Sequence, residues 1–573
     1  MDICKKIIVF IFILICQQTY AQNEYPKDYF RSPMDIPLYL SGNFGELRTN
    51  HFHTGLDIKT QGVEGKNIFA CADGYVSRIK MSPWGYGNVL YITHPNGYTT
   101  VYAHLQKFNK AISKYYQDAQ YKNQKGILDC YPDSTALIVR KGEIIALSGN
   151  SGSSGGPHLH FEIRETESEN PINPFLFGFK IKDNLKPRIQ GIRIYSFKHD
   201  SIAPTCNKSH EVSGSNGRYK LKYGDTIILN GYDNYGIAVH STDKLNDSRN
   251  ICGIYNAKLF IDDKLIFEQE IEKLDFSTNR YMNAHTDYKY YKQTKKSYHK
   301  SFLEPNNKLK IYKIAINNGV FEVMDKSVNA NYIITDVSGN ISSIKFVLKR
   351  SKESLKSRDD GKYQFKNKVE CCKASEFHSE GISCFFPEGT VYNNIDLKYS
   401  KAKTPVKAFS PLHKVHDKAE AVQSNFVLKI KSEVPEQFQD KATIVAYNPG
   451  NKYYNVGGEY KDGWVTVETR SFGNFSVKLD TVAPVIKPHN IYGGKIMTKN
   501  TEISVIATDN LTGVKELHGY IDGKWILMRY NRKKAKYYYL FSDFEVPKGN
   551  HEFYCYAIDS KGNKSEYRAS FVR

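Results

Sequence analysis

Short runs of β-branched and aromatic residues, cut off every few positions by glycine, asparagine or proline, set the limits on what this chain can fold into. Gly74-Tyr75-Val76-Ser77-Arg78-Ile79 is one such run and Asn88-Val89-Leu90-Tyr91-Ile92-Thr93 is the next. Pro95-Asn96-Gly97 then has the composition of a hairpin turn, and Tyr98-Thr99-Thr100-Val101-Tyr102 follows it. Such runs suit a pleated, half-buried surface and are too short for ordinary helices. The 42 tyrosines press in the same direction, and regular helical patterns are few. One polar, helix-like stretch, Lys107 to Lys125, interrupts the strands and reads as an insertion spanning 106–135. Strands resume at Ala136-Leu137-Ile138-Val139 and Glu143-Ile144-Ile145-Ala146-Leu147. The expected fold is mainly β, with an antiparallel sheet.

At 573 residues the chain exceeds what one core serves, so three or four domains are expected. Lys5 and Lys6, the apolar run Ile7 to Cys16 and the small Ala21 read as a signal peptide over 1–21. Cys16 is a poor lipidation site because the bulky Ile15 precedes it. Residues 22–40, with Pro26, Pro33 and Pro37, form a polar leader and a candidate latency device over a groove. Residues 41–180 form the first domain. Beyond Asn184 two segments look alike. Pro187-Arg188-Ile189 opens one, Asp233-Asn234-Tyr235-Gly236 lies within it, and Asp336-Val337-Ser338-Gly339-Asn340 closes it. Pro484-Val485-Ile486, Asp509-Asn510-Leu511-Thr512-Gly513 and Asp559-Ser560-Lys561-Gly562-Asn563 repeat that order. The repetition predicts two immunoglobulin-like β-sandwiches, at 185–350 and 481–573, read as spacers or wall-docking modules. A charged linker over 351–368 and a β-rich domain over 369–480 separate them.

No later segment has the length and apolarity of a membrane span, so an exported protein without a stable transmembrane anchor is expected. Export permits disulfides, and Cys371 or Cys372 could pair with Cys384; free buried thiols are the other reading. The net charge of +20 is compatible with an acidic polymeric partner. The lysines are scattered, however, and no basic helix or RNA-binding signature accompanies them, which argues against nucleic acid.

The chemistry sits in two runs, His53-Thr54-Gly55-Leu56-Asp57 and Gly156-Pro157-His158-Leu159-His160-Phe161-Glu162. On a strand, side chains two apart share a face, so His158 and His160 look the same way. On an extended segment so do His53, Gly55 and Asp57, and Gly55 leaves room between the donors. Two histidines, a carboxylate and one open position suit hydrolytic Zn²⁺. Histidines without a metal are the competing reading. His104 closes a strand and is either a catalytic or supporting histidine or simply a polar strand end. His51 and His94 read as solvated or structural. Gly152-Ser153-Ser154-Gly155-Gly156 has the letters of a serine-hydrolase elbow, but a strand follows it where that motif needs a helix. The H-E-x-x-H zinc motif is absent.

Taken in order, Ser41-Gly42-Asn43-Phe44-Gly45-Glu46-Leu47-Arg48, His53-x-Gly55-x-Asp57, Ala72-x-Gly74-x-Val76, Tyr102-Ala103-His104-Leu105 and Ser148-Gly149 through Glu162 resemble the M23 metallopeptidases of the LytM or lysostaphin type. The resemblance covers about residues 40–175. It implies an antiparallel β fold with an open groove, Zn²⁺ held by His53, Asp57 and His160, and catalytic roles for His104 and His158. It further implies an endopeptidase that cuts peptide cross-links of peptidoglycan in the cell envelope, with peptidoglycan as partner. The alternatives are a non-catalytic regulator of cell-wall hydrolases that keeps only the fold, or a wall-binding surface protein. Presence of all five histidine and aspartate candidates favours catalysis.

Overall fold

A computed structural model describes residues 25–197, 205–230, 234–324, 326–351 and 365–573. The signal segment, most of the 351–368 linker, Asp233 and the side chain of Cys206 lie outside the described residues. The chain is mostly β, as its composition demands. In the first domain five strands matter: β1 (Leu56–Lys59), β2 (Gly74–Met81), β3 (Asn88–Thr93), β4 (Tyr98–Ala103) and β5 (His158–Glu165). The sheet runs Leu40–Gly42, β1, β5, β4, β3, β2, Asp129–Cys130, with every neighbour antiparallel. The last long strand in sequence therefore lies at the centre, between β1 and β4.

Alternation sorts the residues of β5. Leu159, Phe161 and Ile163 join Ile58, Tyr102 and Val76 in the core. His158, His160, Glu162 and Arg164 alternate with them and so face the other side of the sheet. On that side His160, Glu162 and Arg164 are buried and His158 is half-buried.

The stretch read as an insertion contains helix α1 (Lys110–Asn123), followed by Asp129–Cys130 on the sheet edge. Asn109 caps α1 by accepting from Ile112 N. Ile112 and Tyr116 bury its inner face. Tyr116 OH accepts from Met81 N at the end of β2 and donates to Leu128 O. Arg78 holds Asp129 with two bonds of 2.7 Å, which fastens the helix and its return strand to β2.

The leader does not reach the groove. Phe30 packs against His94, Tyr98 and Phe177, at the end of β4 remote from His104. Arg31 N donates to Cys71 O and Phe69 N to Pro33 O, so residues 25–40 are built into the domain. The idea of an occluding leader therefore fails over these residues.

Three further β units follow. Residues 188–350 form sheets joined through the long strand Thr205–Ser215, which pairs with Arg188–Phe197 through its first half and with Arg218–Leu221 through its second. Residues 375–479 form two five-stranded sheets, and 485–572 a four- and a five-stranded sheet. The second and last units pack against the first domain. Leu245, Cys252, Ile271, Leu274, Tyr281, Met282, Ala284, Leu309 and Ile311 of the second unit belong to the same core as the first domain. The C-terminal unit also touches it, through Trp525 against Tyr121 of α1 and Arg532 over Trp84. All described cysteines other than Cys206 are free, so no Cys371–Cys384 or Cys372–Cys384 bridge forms.

Where the second unit meets the first domain, His285 Nε2 and His299 Nδ1 stand 3.0 Å apart, fully buried, with Phe52 tilted against the His285 ring. Burial pushes His299 down to about 4. Burial, with the nearby His299 and Lys300, pushes His285 lower than its ordinary value as well. An unfolded chain protonates both near pH 6.5. Their contribution to stability is therefore full above about pH 6.5 and is lost as pH falls toward 4. Thermal melting between pH 7.5 and 4.5 should show that fall, and His299→Gln should make the slope shallower.

Candidate metal and hydrolytic site

The site sits where β1, β4 and β5 meet. In the β1–β5 ladder His160 lies directly opposite Asp57, and on its other side His160 faces Ala103, the residue before His104. His53 precedes β1 on a loop that crosses back over it. The register therefore draws together residues about a hundred positions apart. Gly55 is required between them, since a Cβ there would meet Phe161 O at 2.4 Å and His160 Cε1 at 3.1 Å.

His53, Asp57 and His160 are buried, and one donor atom from each lies within 4.8 Å of the others. His53 Nε2 is 3.0 Å from Asp57 Oδ1, His160 Nδ1 is 2.9 Å from the same oxygen, and the two nitrogens are 3.0 Å apart. Their outward-facing atoms fix the tautomers. His160 Nε2 donates to Glu162 Oε1 at 2.7 Å, and Glu162 accepts only. His53 Nδ1 donates to the Asn43 carbonyl at 2.7 Å. In the neutral rings both inner nitrogens are then bare lone pairs, aimed at each other and at a carboxylate oxygen. A metal cation satisfies that convergence; in its absence the Asp57 and Glu162 carboxylates, against the effect of burial, raise His160 to about 9, and a proton on Nδ1 takes the cation's place. Ligands of tetrahedral zinc lie about 3.3 Å apart, given Zn–N of about 2.0–2.1 Å, so this donor set fits the metal in type and in size.

The surroundings keep those donors in place. Glu162 is fully buried, and burial alone would push its carboxyl up. The Arg164 guanidinium and the His160 bond instead hold it below the ordinary range. Arg164 Nε donates to Glu162 Oε2 at 2.7 Å, while Thr54 Oγ1 and Tyr86 OH each donate to Oε1 at 2.6 Å. Arg48 Nη2 donates to Asp57 Oδ2 at 2.9 Å. Burial opposes the charge of Asp57, but the His53, His158 and His160 rings around it hold it well below the carboxylate range.

His104 and His158 flank this cluster with their rings 4.8 Å apart. His104 Nδ1 donates to Ser151 O, and His158 Nδ1 donates to Gly156 O. Each therefore presents a basic Nε2, and that of His158 is 3.5 Å from Asp57 Oδ1. Burial, then the neighbouring His160 and His158, lowers His104 to about 3. His104 also sits at φ 59°, a left-handed conformation rare for a non-glycine residue, held by His104 N donating to Tyr86 O. The structure thus brings all five predicted residues together. His51 is exposed, and His94 is a buried structural residue between Asp73 O and Thr100 Oγ1.

Sequence reasoning did not assign Glu162, Asn43, Thr54, Arg48 or Tyr86. Glu162 carried a usable signal, since it stands two positions beyond His160 on the same strand face. Asn43 acts through its backbone carbonyl, which leaves no mark on residue type.

Residues 51–120 and 134–174 match peptidase family M23, and residues 366–480 match the Zu5-like domain. The break at 121–133 falls after most of α1, inside the segment read as inserted. The chain is 35% identical over 128 residues to the DD-carboxypeptidase/endopeptidase Mpg of Neisseria meningitidis serogroup B, covering 22% of this chain and 23% of that one. It is 32% identical over 139 residues to the peptidoglycan DD-endopeptidase ShyA of Vibrio cholerae, covering 23% and 26%. The catalytic domain of lysostaphin from Staphylococcus simulans aligns at 23% identity, over 25% of this chain and 93% of that one, with a TM-score of 0.19. The chain spans about a quarter of the length of the curated relatives it matches. It carries a domain of peptidase family M23.

Glu162→Gln keeps the shape of the side chain and removes its charge. It is expected to lower divalent-metal affinity about 10–100-fold, read by competition with a chromophoric chelator. It should also cost about 3–5 kcal/mol in denaturant melts, because Arg164 is left buried without its counter-charge.

Proposed function

We propose that this protein is a zinc-dependent endopeptidase that hydrolyses peptide cross-links of bacterial peptidoglycan, acting after export in the periplasm or cell envelope. The observation that carries the reading is the convergence of two histidine lone pairs and one carboxylate oxygen, with two further basic imidazoles beside them. His53, Asp57 and His160 are the residues that hold the metal. Zinc held there supplies a Lewis acid that acidifies a water and polarises the scissile carbonyl. The naming of relatives as DD-endopeptidases supports the choice of substrate. Among the described residues no helix is long and apolar enough to cross a membrane.

The remaining roles follow from what each side chain presents. His104 and His158 offer their Nε2 atoms to the same small space. A basic Nε2 accepts the proton of the attacking water, and the imidazolium so formed then faces the developing oxyanion and returns the proton to the leaving amine. Ser151 O and Gly156 O hold the Nδ1–H tautomers of both rings, so neither can turn its basic nitrogen away without losing a bond. Arg532 and Lys533 bring positive charge to the rim at Trp84 and Asn150, complementary to the carboxylates of wall peptides. A Cβ on Gly149 or Gly152 would meet backbone at 2.4 Å, so these glycines let the loop pack down, while Gly155 and Gly156 face open space beside His158 that an extended peptide backbone can use.

Purified protein incubated with peptidoglycan should release soluble muropeptides, and a chelator should stop the release. His160→Ala should abolish cleavage together with bound zinc. His104→Ala should lower cleavage by about 10²–10⁴-fold while zinc stays bound. Cleavage by the His160→Ala protein at the parent rate would sink the assignment. Mass analysis of the muropeptides identifies the bond.

A further inference from the structure

The two look-alike segments share more than turns. Asp183, Asp243 and Asp336 bring one carboxylate oxygen each within 4.8 Å of the others, and Asp480, Asp509 and Asp559 do the same. The two sets are built alike. Asp183 and Asp480 each stand four residues before the proline that opens a sandwich, Pro187 and Pro484. Asp336 and Asp559 each head an Asp-x-x-Gly-Asn turn. Asp336 Oδ1 accepts from Ser338 N and Asn340 N, and Oδ2 from Asn340 Nδ2, all at 2.9 Å. Asp559 makes the corresponding three bonds to Lys561 N, Asn563 N and Asn563 Nδ2. The middle member in the second unit is Asp243, which follows its strand as Asp509 follows its own.

In the first set Asp336 is satisfied by its turn, but Asp183 and Asp243 each keep one oxygen that the protein leaves unpartnered. Asp243 is only 3% exposed, and its Oδ1 is buried without a hydrogen-bond partner. Asp183 Oδ2 is likewise buried and unpartnered. Among the described residues no lysine or arginine pairs with Asp183, Asp243 or Asp336. A buried unpaired carboxylate is costly, and two or three together repel as well. Burial and the charges of Asp336 and Asp183 push Asp243 up to about 8, and burial pushes Asp183 up to about 6. A cation placed between them would satisfy both orphaned oxygens.

We propose that Asp183, Asp243 and Asp336 bind a calcium ion at the junction between the peptidase domain and the unit that follows it. The donors are all oxygen, with no nitrogen or sulfur, which selects a hard cation. They come from a linker, a strand end and a turn, an irregular set suited to the variable six- to eight-oxygen shell of Ca²⁺ rather than the near-ideal octahedron of Mg²⁺. The ion clamps the point where the chain leaves the first domain. Asp243 exchanges backbone hydrogen bonds with Cys252, and the next residue, Gly253, is gripped by Asn43, whose carbonyl holds His53. The second set, with Asp509 Oδ1 also buried and unpartnered, is placed the same way at the start of the last unit.

The test uses the full zinc-loaded chain freed of calcium on a chelating resin. Calcium titrated into it should bind with Kd on the order of 10⁻⁴ M or tighter and raise its melting temperature, while equimolar Mg²⁺ does much less. Asp243→Asn and Asp183→Asn should each remove one calcium-binding event or weaken it about tenfold or more. Calcium binding by both variants with the parent's affinity and stoichiometry overturns the proposal. So does a parent that calcium neither binds nor stabilises, or one that Mg²⁺ stabilises equally.

Discussion

The direct cross-strand pairing of His160 with Asp57 is the constraint from which the rest of the site follows. It places an imidazole and a carboxylate side by side on the buried face of a central strand. Each needs help to stay there in a usable form. His160 must carry its proton on Nε2, and Glu162 enforces that because a carboxylate cannot donate. Glu162 in turn must stay ionised in a fully buried place, and the guanidinium of Arg164 makes that possible. Arg164 is itself sandwiched near the rings of Tyr91 and Phe276, at 5.2 and 4.5 Å from their centroids. Alternate residues of one strand thus form a relay of donor, orienter and counter-charge, a period-2 consequence of β structure.

The third donor is positioned by different means. His53 lies on a loop rather than a strand, and a loop alone would place it poorly. The second unit supplies the missing rigidity. Asn279 accepts from Phe52 N and donates to Phe52 O, so it stands in for a strand partner beside His53. Asn283 reaches Asn50, and the Asn43–Gly253 pair closes the other side of the loop. Phe52, fully buried against His285, anchors the same segment; removal of such a ring costs about 3–5 kcal/mol. Binding geometry at His53 is therefore coupled to packing between domains.

Much of this was legible in the residues and some was not. Hairpin chemistry and short aromatic runs expose the strands of the first domain, because period-2 patterning and turn residues act locally. His53, Asp57, His158 and His160 are candidates by their spacing, while the full set with His104, and the role of each, is legible only through the resemblance to the M23 metallopeptidases. Asn43, Asn279 and Tyr86 are not legible. Their contributions depend on backbone carbonyls or on partners more than two hundred residues away, which no local pattern encodes. The packing of the later units is illegible for the same reason. Turn motifs show that 185–350 is β-rich, but the segment 270–311 that docks into the peptidase core has no distinctive composition. Asp243 is equally silent, because only the fold brings it to Asp336.

The far end of the chain completes the argument. The match to known peptidases covers about a quarter of these residues, which invites the view that the remainder is freight. The contacts say otherwise. Lys533 Nζ donates to Asn150 O, one residue before the carbonyl of Ser151 that orients His104. Arg532 stacks over Trp84, two residues before Tyr86, whose hydroxyl bonds Glu162 and whose carbonyl holds His104 N. The second unit braces the loop of His53, and the last unit braces the loop of His104. A groove lined by short glycine-rich loops is intrinsically soft, since glycine gives up the most conformational freedom on ordering. Here the two loops that must be precise are those that distant domains grip, so the accessory domains supply the rigidity that the small sheet cannot provide for itself.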